Sequence, residues 1–279
     1  MLMKQMDKEH YLIHRLSSKY IGDDAAVVGE KIYSMDAFFE DTHFKRAWMS
    51  MAQIGRKAML VNLSDAVAMN AEPDYALVTV SLPQDVTTEQ IDELTRSLEE
   101  TASEYGCEII GGDTVAGDKL HLSITLISHS DDPLLRKGLE EGDLLAYTGT
   151  LGESKRDLDR LLNGEKIAED SRFFEPMLQR EFVQKARPFL SAGMDISDGL
   201  YCDTNKLLDM NEYGFAILNS ISDDIGFSGE EYEMLVGFKK VHLERLKSIA
   251  EACGTTLTVF AEVAKNSRRF PCKSHHFKD

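Results

Sequence analysis

Aspartate recurs in this sequence where an apolar run ends or a glycine bends the chain. The instances are Gly22-Asp23-Asp24, Ser34-Met35-Asp36, Asn62-Leu63-Ser64-Asp65, Gly111-Gly112-Asp113 and Asp195-Ile196-Ser197-Asp198-Gly199. Carboxylates carried to strand ends can converge in space. A cluster of them offers what a hard divalent cation such as Mg2+ needs, oxygen ligands on one side and substrate phosphates on the other. The chemistry this suggests is metal-dependent phosphoryl transfer. The usual nucleotide signatures are missing: GTLGESK at 149–155 lacks the spacing of GxxxxGK[ST], and neither GxGxxG nor HExxH occurs.

Asp65 is the most informative of these residues. Ile54, Ala58, Val61, Asp65 and Ala68 recur at helical spacing and form one stripe of a helix. An ionised, unpaired carboxylate in an apolar stripe costs roughly several kcal/mol, so Asp65 needs a cation, a metal or hydrogen-bond donors beside it; the alternative is a cap on a neighbouring element. Asp195 and Asp198 are close enough to share a face, or one of them caps the helix that follows. Asp113, after two glycines, fits a backbone approach to a ligand or an ordinary turn. Arg136 is either a ligand-binding cation or a solvated linker arginine. His43 is either a core-edge ring or a polar contact, and the tail pair His275-His276 reads as solvated.

The elements that must position these residues alternate. Strands are expected at 25–28, 32–35, 75–82, 107–110 and 120–128, with helices at 53–69 and 88–105, the second capped by Thr88. GGDTVAGD reads as a turn between the last two strands. A polar stretch at 129–136 is the linker candidate, which divides the chain into residues 1–130 and 131–279. The second part holds a strand at 144–147, a mostly helical 153–185, a helix from GMDISDGL to about 211, a helix at 240–253 and a strand at 256–263. This order predicts an α/β protein built in α+β layers.

The 279 residues are 43% hydrophobic, enough for a sizeable core, and carry 31 Lys plus Arg against 48 Asp plus Glu, a formal net charge of −17. So acidic a surface repels a nucleic-acid backbone. No apolar stretch approaches the length of a membrane span, and Asp7 and Glu9 interrupt the region a signal peptide would need, so a cytoplasmic enzyme is expected. Four scattered cysteines with no CxxC suggest neither zinc nor a disulfide framework.

Seven segments in order resemble the thiamine-monophosphate kinase family of the aminoimidazole ribonucleotide synthetase-like superfamily: IGDDAAVV, SMDAFFEDTHF, RKAMLVNLSDAVAMNAEPDYALVTVSLP, GGDTVAGDKLHLSITLIS, LRKGLEEGD, GMDISDGL and SGEEYEML. The resemblance implies a two-domain fold whose first domain binds ATP and Mg2+ and pairs its sheet across a homodimer, while the second completes the nucleotide and substrate site. It implies ATP-dependent phosphorylation of thiamine monophosphate to thiamine diphosphate by direct in-line transfer, with several Mg2+ ions and no covalent intermediate. By this resemblance Asp24, Ser34, Asp36, Asp65, Asp113, Asp195 and Asp198 are the metal shell, with Asp36, Asp65 and Asp113 the chief electrostatic contributors. Gly112, Asp113, Arg136 and Ser197 are ATP contacts, and His43 and Glu230 are substrate contacts.

The chain departs from the family pattern at Met35 for Thr, Ser228 for Gly, Glu231 for Asp, and in KSHHF, where no ring for the thiamine pyrimidine is identifiable. Two rival readings are another superfamily member acting on a different small molecule and a non-catalytic protein that binds metal or ATP. The selenophosphate branch is disfavoured because the first cysteine is Cys107, well after the GDD segment, and the hydrogenase-maturation branch because Cys272 lacks that branch's tail context.

Overall fold

In the computed structural model, residues 8–272 are described. In chain order the first half contains α1 (Lys8–Arg15), β1 (Ala26–Val28), β2 (Lys31–Phe39), α2 (Met51–Ala68), β3 (Glu72–Leu82), α3 (Thr88–Glu104), β4 (Glu108–Ala116) and β5 (His121–His129). The second half contains β6 (Leu144–Thr148), α4 (Glu153–Leu162), α5 (Arg180–Ala186), β7 (Ala192–Asp195), α6 (Leu200–Met210), β8 (Gly214–Ile217), α7 (Asp223–Gly226), β9 (Met234–Phe238), α8 (Leu243–Ala252) and β10 (Leu257–Ala264). The result is the expected mixed α/β architecture, with one five-stranded sheet in each half.

The first sheet has the order β1-β2-β5-β3-β4, antiparallel except where β3 and β4 run parallel. Strands β2, β3 and β5 alternate as those of a half-covered sheet should. Ile32, Phe38, Leu122, Ile124 and Leu126 are buried with α2 and α3, while Tyr33, Met35, Phe39, Tyr75 and Leu77 remain exposed on the other side. The second sheet, β7-β9-β6-β10-β8, is wholly antiparallel, and β6, β7 and β9 are buried throughout.

α2 joins the halves. It is capped by a reciprocal Ser50 and Gln53 box, with Gln53 N–H donating to Ser50 Oγ at 3.2 Å. It is buried on nearly every side: Ile54, Ala58 and Leu63 belong to the first core, Val67 and Ala68 to the core of the second half. Gly55 lets α3 come close, since a Cβ there would lie 2.7 Å from the Leu94 carbonyl oxygen.

Several local expectations are corrected. GGDTVAGD is not a turn, because β4 continues through it to Ala116. Gly112 serves close strand packing: a Cβ on it would sit 1.7 Å from the Val78 carbonyl oxygen, next to the register shift in the pairing of β3 with β4. Thr87, not Thr88, caps α3. Residues 153–185 are two helices separated by irregular chain, because α4 stops at Asn163 and Gly164, the latter at φ 78°. Strands β7, β8 and β9 were not anticipated; they are short apolar runs that periodicity alone cannot distinguish from helix. The stretch 129–136 is anchored on both sides, with Leu134 N–H donating to Met69 O at 3.0 Å and Arg187 Nη2 to Asp132 Oδ1 at 2.7 Å.

The disulfide half of the cysteine expectation fails, because Cys202 in α6 is disulfide-bonded to Cys272. Asn205 clamps the backbone of Phe270 through two hydrogen bonds, and the Phe270 ring stacks on Phe215 and Tyr201 at 4.2 and 4.6 Å. The second cysteine is thereby delivered to the helix across 70 residues, a tertiary juxtaposition with no local sequence signature. The tail histidines lie outside the described residues.

Candidate active site

A cavity of about 1980 Å³ lies between the two halves, and Asp24, Asp36, His43, Asp65, Arg136, Asp195, Ser197, Asp198 and Glu230 all line it. Asp24 comes from the turn before β1, Asp36 from the middle of β2, Asp65 from α2 and Asp195 from the last position of β7. Carboxylate oxygens of Asp24, Asp65 and Asp195 all lie within 4.8 Å of one another. Neither Asp195 nor Asp198 caps α6, whose N-cap is Gly199 at φ 98°.

The surrounding side chains hold these carboxylates in place. Ser64 Oγ donates to Asp195 Oδ2 at 2.7 Å, and Asn62, bonded to Ala58 O by its amide nitrogen, accepts the Asp36 N–H at 2.9 Å. Arg136 is no solvated linker residue. Its Nε donates to Asp24 Oδ1 at 3.0 Å, its Nη2 makes a second bond to that oxygen, and its backbone N–H donates to Asp23 Oδ1 at 2.7 Å. Asp24 Oδ2, by contrast, is buried with no hydrogen-bond partner among the described residues.

Mutual repulsion and loss of water shift these acids upward. Burial pushes Asp195 to about 8, with the Asp24 charge adding to it. Asp36 is raised to about 6 by burial and then by Asp24. Asp65 stands well above the usual carboxylate range, through desolvation and then through Asp36, Asp195 and Asp24. Asp24 is raised too, burial outweighing Arg136. All the donors are carboxylate oxygens and one of them is an orphan, so the residues present fit a hard divalent cation.

Asp198 sits at the cavity in an ion pair with Lys206, which also meets the buried Asp203 at 2.9 Å. Ser197 accepts the Glu230 N–H on its carbonyl at 2.7 Å. His43, also on the cavity lining, accepts the Phe39 N–H on its Nδ1 at 2.9 Å. Glu230, in the left-handed region at φ 54°, pairs with Lys57 at 2.7 Å. Ser228 and Glu231, the departures beside it, hydrogen-bond each other, and Gly152 N–H donates to Glu231 at 2.7 Å.

Three expected site residues do not join the cavity wall of this chain. Ser34 shares the inward face of β2 with Asp36 but is buried beside it. Gly112 and Asp113 lie on β4, an exposed sheet edge. Gly112 stands in one cross-strand row with Val78, Ile124 and Asp36. Three strand spacings, about 14 Å, therefore separate it from Asp36. Residues that sequence reasoning missed are Lys57, Asn62, Ser64 and Lys206. The first three are polar positions inside the apolar body of α2, a signal equal to the one that singled out Asp65.

Residues 22–129 match the family model for the AIR synthase related protein N-terminal domain. The chain is 30% identical over 230 residues to the thiamine-monophosphate kinase of Aquifex aeolicus, covering 78% of this chain and 75% of that protein. It is 34% identical over 207 residues to that of Rhodopirellula baltica, covering 70% and 62%. Among solved structures, AaThiL complexed with AMPPCP and TMP superposes with a TM-score of 0.83 at 26% identity, over 95% of this chain and 93% of that one. Sequence and fold thus agree on one enzyme lineage, and the chain belongs to the thiamine-monophosphate kinase family of AIR synthase-like kinases.

Proposed function

We propose that this enzyme transfers the γ-phosphoryl group of ATP directly to the phosphate of thiamine monophosphate, giving thiamine diphosphate in the cytoplasm as a step of its biosynthesis. The observation that carries this reading is the carboxylate cluster of Asp24, Asp65 and Asp195, with its orphaned Asp24 oxygen, in a cavity that also contains Arg136. Asp24, Asp36, Asp65, Asp195 and Asp198 would hold Mg2+, which supplies charge neutralisation and alignment of the phosphate oxygens.

The acceptor is already an anionic phosphate, so the chain needs neither a nucleophilic side chain nor a strong base. Its residues bind, orient and offset charge. Arg136 and Ser197 are the nucleotide contacts of this reading, and His43 and Glu230 its thiamine monophosphate contacts. Residues 1–130 supply Asp24, Asp36 and Asp65, and 131–279 supply Arg136, Asp195, Ser197, Asp198 and Glu230. Gly112 and Asp113 belong to the reading as nucleotide and metal contacts delivered across a homodimer, with Ser34 the buried neighbour of the shell. The apolar face of Tyr33, Met35, Phe39, Tyr75 and Leu77 beside β4 supports that pairing.

A coupled assay of ADP release tests the function. Release that requires both thiamine monophosphate and Mg2+ is expected. ADP release indifferent to thiamine monophosphate would favour another substrate, and nucleotide binding without turnover would favour a non-catalytic protein.

A further inference from the structure

Lys57 is fully buried, its side chain among the largest with no solvent exposure. It lies in the middle of α2 and its ammonium reaches Glu230 Oε2 at 2.7 Å, an ion pair that spans 173 positions of sequence and ties α2 to the loop before β9. The same ammonium lies 4.0 Å from the Phe173 ring centroid and 5.9 Å from that of Phe38. Phe38 in turn stacks on the ring of His43 at 5.8 Å. Lys57 therefore stands behind both residues assigned to the substrate wall.

Burying an ammonium with one carboxylate partner costs several kcal/mol, roughly, before pairing and ring contacts offset it, and an apolar side chain of similar volume would fill the site without that cost. Packing alone does not account for a lysine here. The ion pair fixes what the loop backbone leaves free. Glu230 N–H is held by Ser197 O and Tyr232 N–H by Ile196 O, while Ser228, Glu231 and Gly152 lock the loop from beneath. The Glu230 side chain, 28% exposed on the cavity wall, is anchored by Lys57 through one oxygen.

We infer that Lys57 is a positioning residue for the thiamine monophosphate subsite, acting through the Glu230 carboxylate without touching substrate. This rests on the assignment of Glu230 to that subsite. Three variants separate the possibilities, each followed by steady-state kinetics and by the melting shift that thiamine monophosphate or a non-hydrolysable ATP analogue induces. K57M keeps bulk and removes charge. It is expected to raise KM for thiamine monophosphate about tenfold or more, to lose the matching melting shift, and to leave KM for ATP within about twofold, by the usual worth of a charge-assisted contact.

K57R keeps charge and changes bulk, and is expected to stay within about threefold of the parent in both constants, because the ion pair survives. A lysine that merely fills space would give the reverse, with K57M spared and K57R impaired, and that pattern would overturn the inference. E230Q tests the underlying assignment separately: an unchanged KM for thiamine monophosphate in E230Q would sink the role of Glu230, whereas a raised KM in E230Q with an unchanged one in K57M would sink only the role of Lys57. Should K57M not fold, K57M/E230Q leaves no single buried charge. Its response to thiamine monophosphate should equal that of E230Q, and any further loss would refute action through Glu230.

Discussion

Replacing Asp65 by Asn should make the metal-free enzyme more stable while abolishing its activity. Oxygens of Asp24, Asp65 and Asp195 lie within 4.8 Å of one another. At that distance and an effective dielectric of about 20, each ionised pair costs about 3.5 kcal/mol. Asp65 faces two such neighbours, and Arg136, the only guanidinium lining the cavity among the described residues, is bonded to Asp24. Protonation caps the penalty, so D65N is expected to gain about 1–3 kcal/mol without divalent cation, or about 2–6 °C in Tm for a chain of this size. Thermal melts in EDTA and in Mg2+ read both effects: D65N should melt higher than the parent in EDTA and lose most of the Mg2+-induced gain. Its kcat/KM should fall at least about 100-fold, the equivalent of roughly 2.7 kcal/mol of barrier. A D65N enzyme that melts lower in EDTA, or that turns over near the parental rate, would refute the account of the cluster.

Stability should also depend on pH with a definite sign. Asp195 and Asp36 have folded-state pKa values raised to about 8 and about 6, against about 3.9 in the unfolded chain. The folded state then holds more protons, and the contribution of these groups is fully present below about pH 4 and lost as pH rises to about 6 for Asp36 and to about 8 for Asp195. Under the proposed metal role Mg2+ would replace those protons, so the gap in Tm between Mg2+ and EDTA should widen from pH 6 to pH 8.5, and a constant gap would contradict the assignment. Ser64→Ala removes the donor to Asp195 Oδ2. It should cost about 1–2 kcal/mol in urea unfolding with Mg2+ absent and shift the Mg2+ requirement upward; an unchanged Mg2+ titration would show that the hydroxyl does not orient the carboxylate.

Much of the architecture was written in local patterns. The apolar stripe through Ile54, Ala58 and Val61 marked α2, and the same stripe showed Asp65 to need company, which Asp24, Asp195 and Arg136 now supply as neighbours. Local pattern could not show convergence, because Asp24 and Asp195 meet across 171 positions through sheet packing. It misread β4, where Gly111 and Gly112 looked like a turn and in fact continue the strand, Gly112 admitting the backbone of β3. It passed over Lys57 and Ser64, whose partners Glu230 and Asp195 belong to the other half of the chain. A polar residue inside a buried helix states that a partner exists, and only tertiary structure says which.

The disulfide between α6 and the chain after β10 has a mechanical consequence. It closes a covalent ring across 70 residues, within which β8, β9 and β10 all lie. Three of the five strands of the second sheet thus share one loop, and closing a loop of that length restricts the unfolded chain by about 4 kcal/mol on the chain-entropy account. Under tension from its two ends, the oxidised molecule can lengthen through the first sheet but keeps about 240 Å of contour hidden in the ring until the bond is reduced. A protease that cuts inside the ring would leave both pieces joined, so a nicked enzyme could keep its cavity while its first sheet, which has no such tie among the described residues, comes apart at a single break.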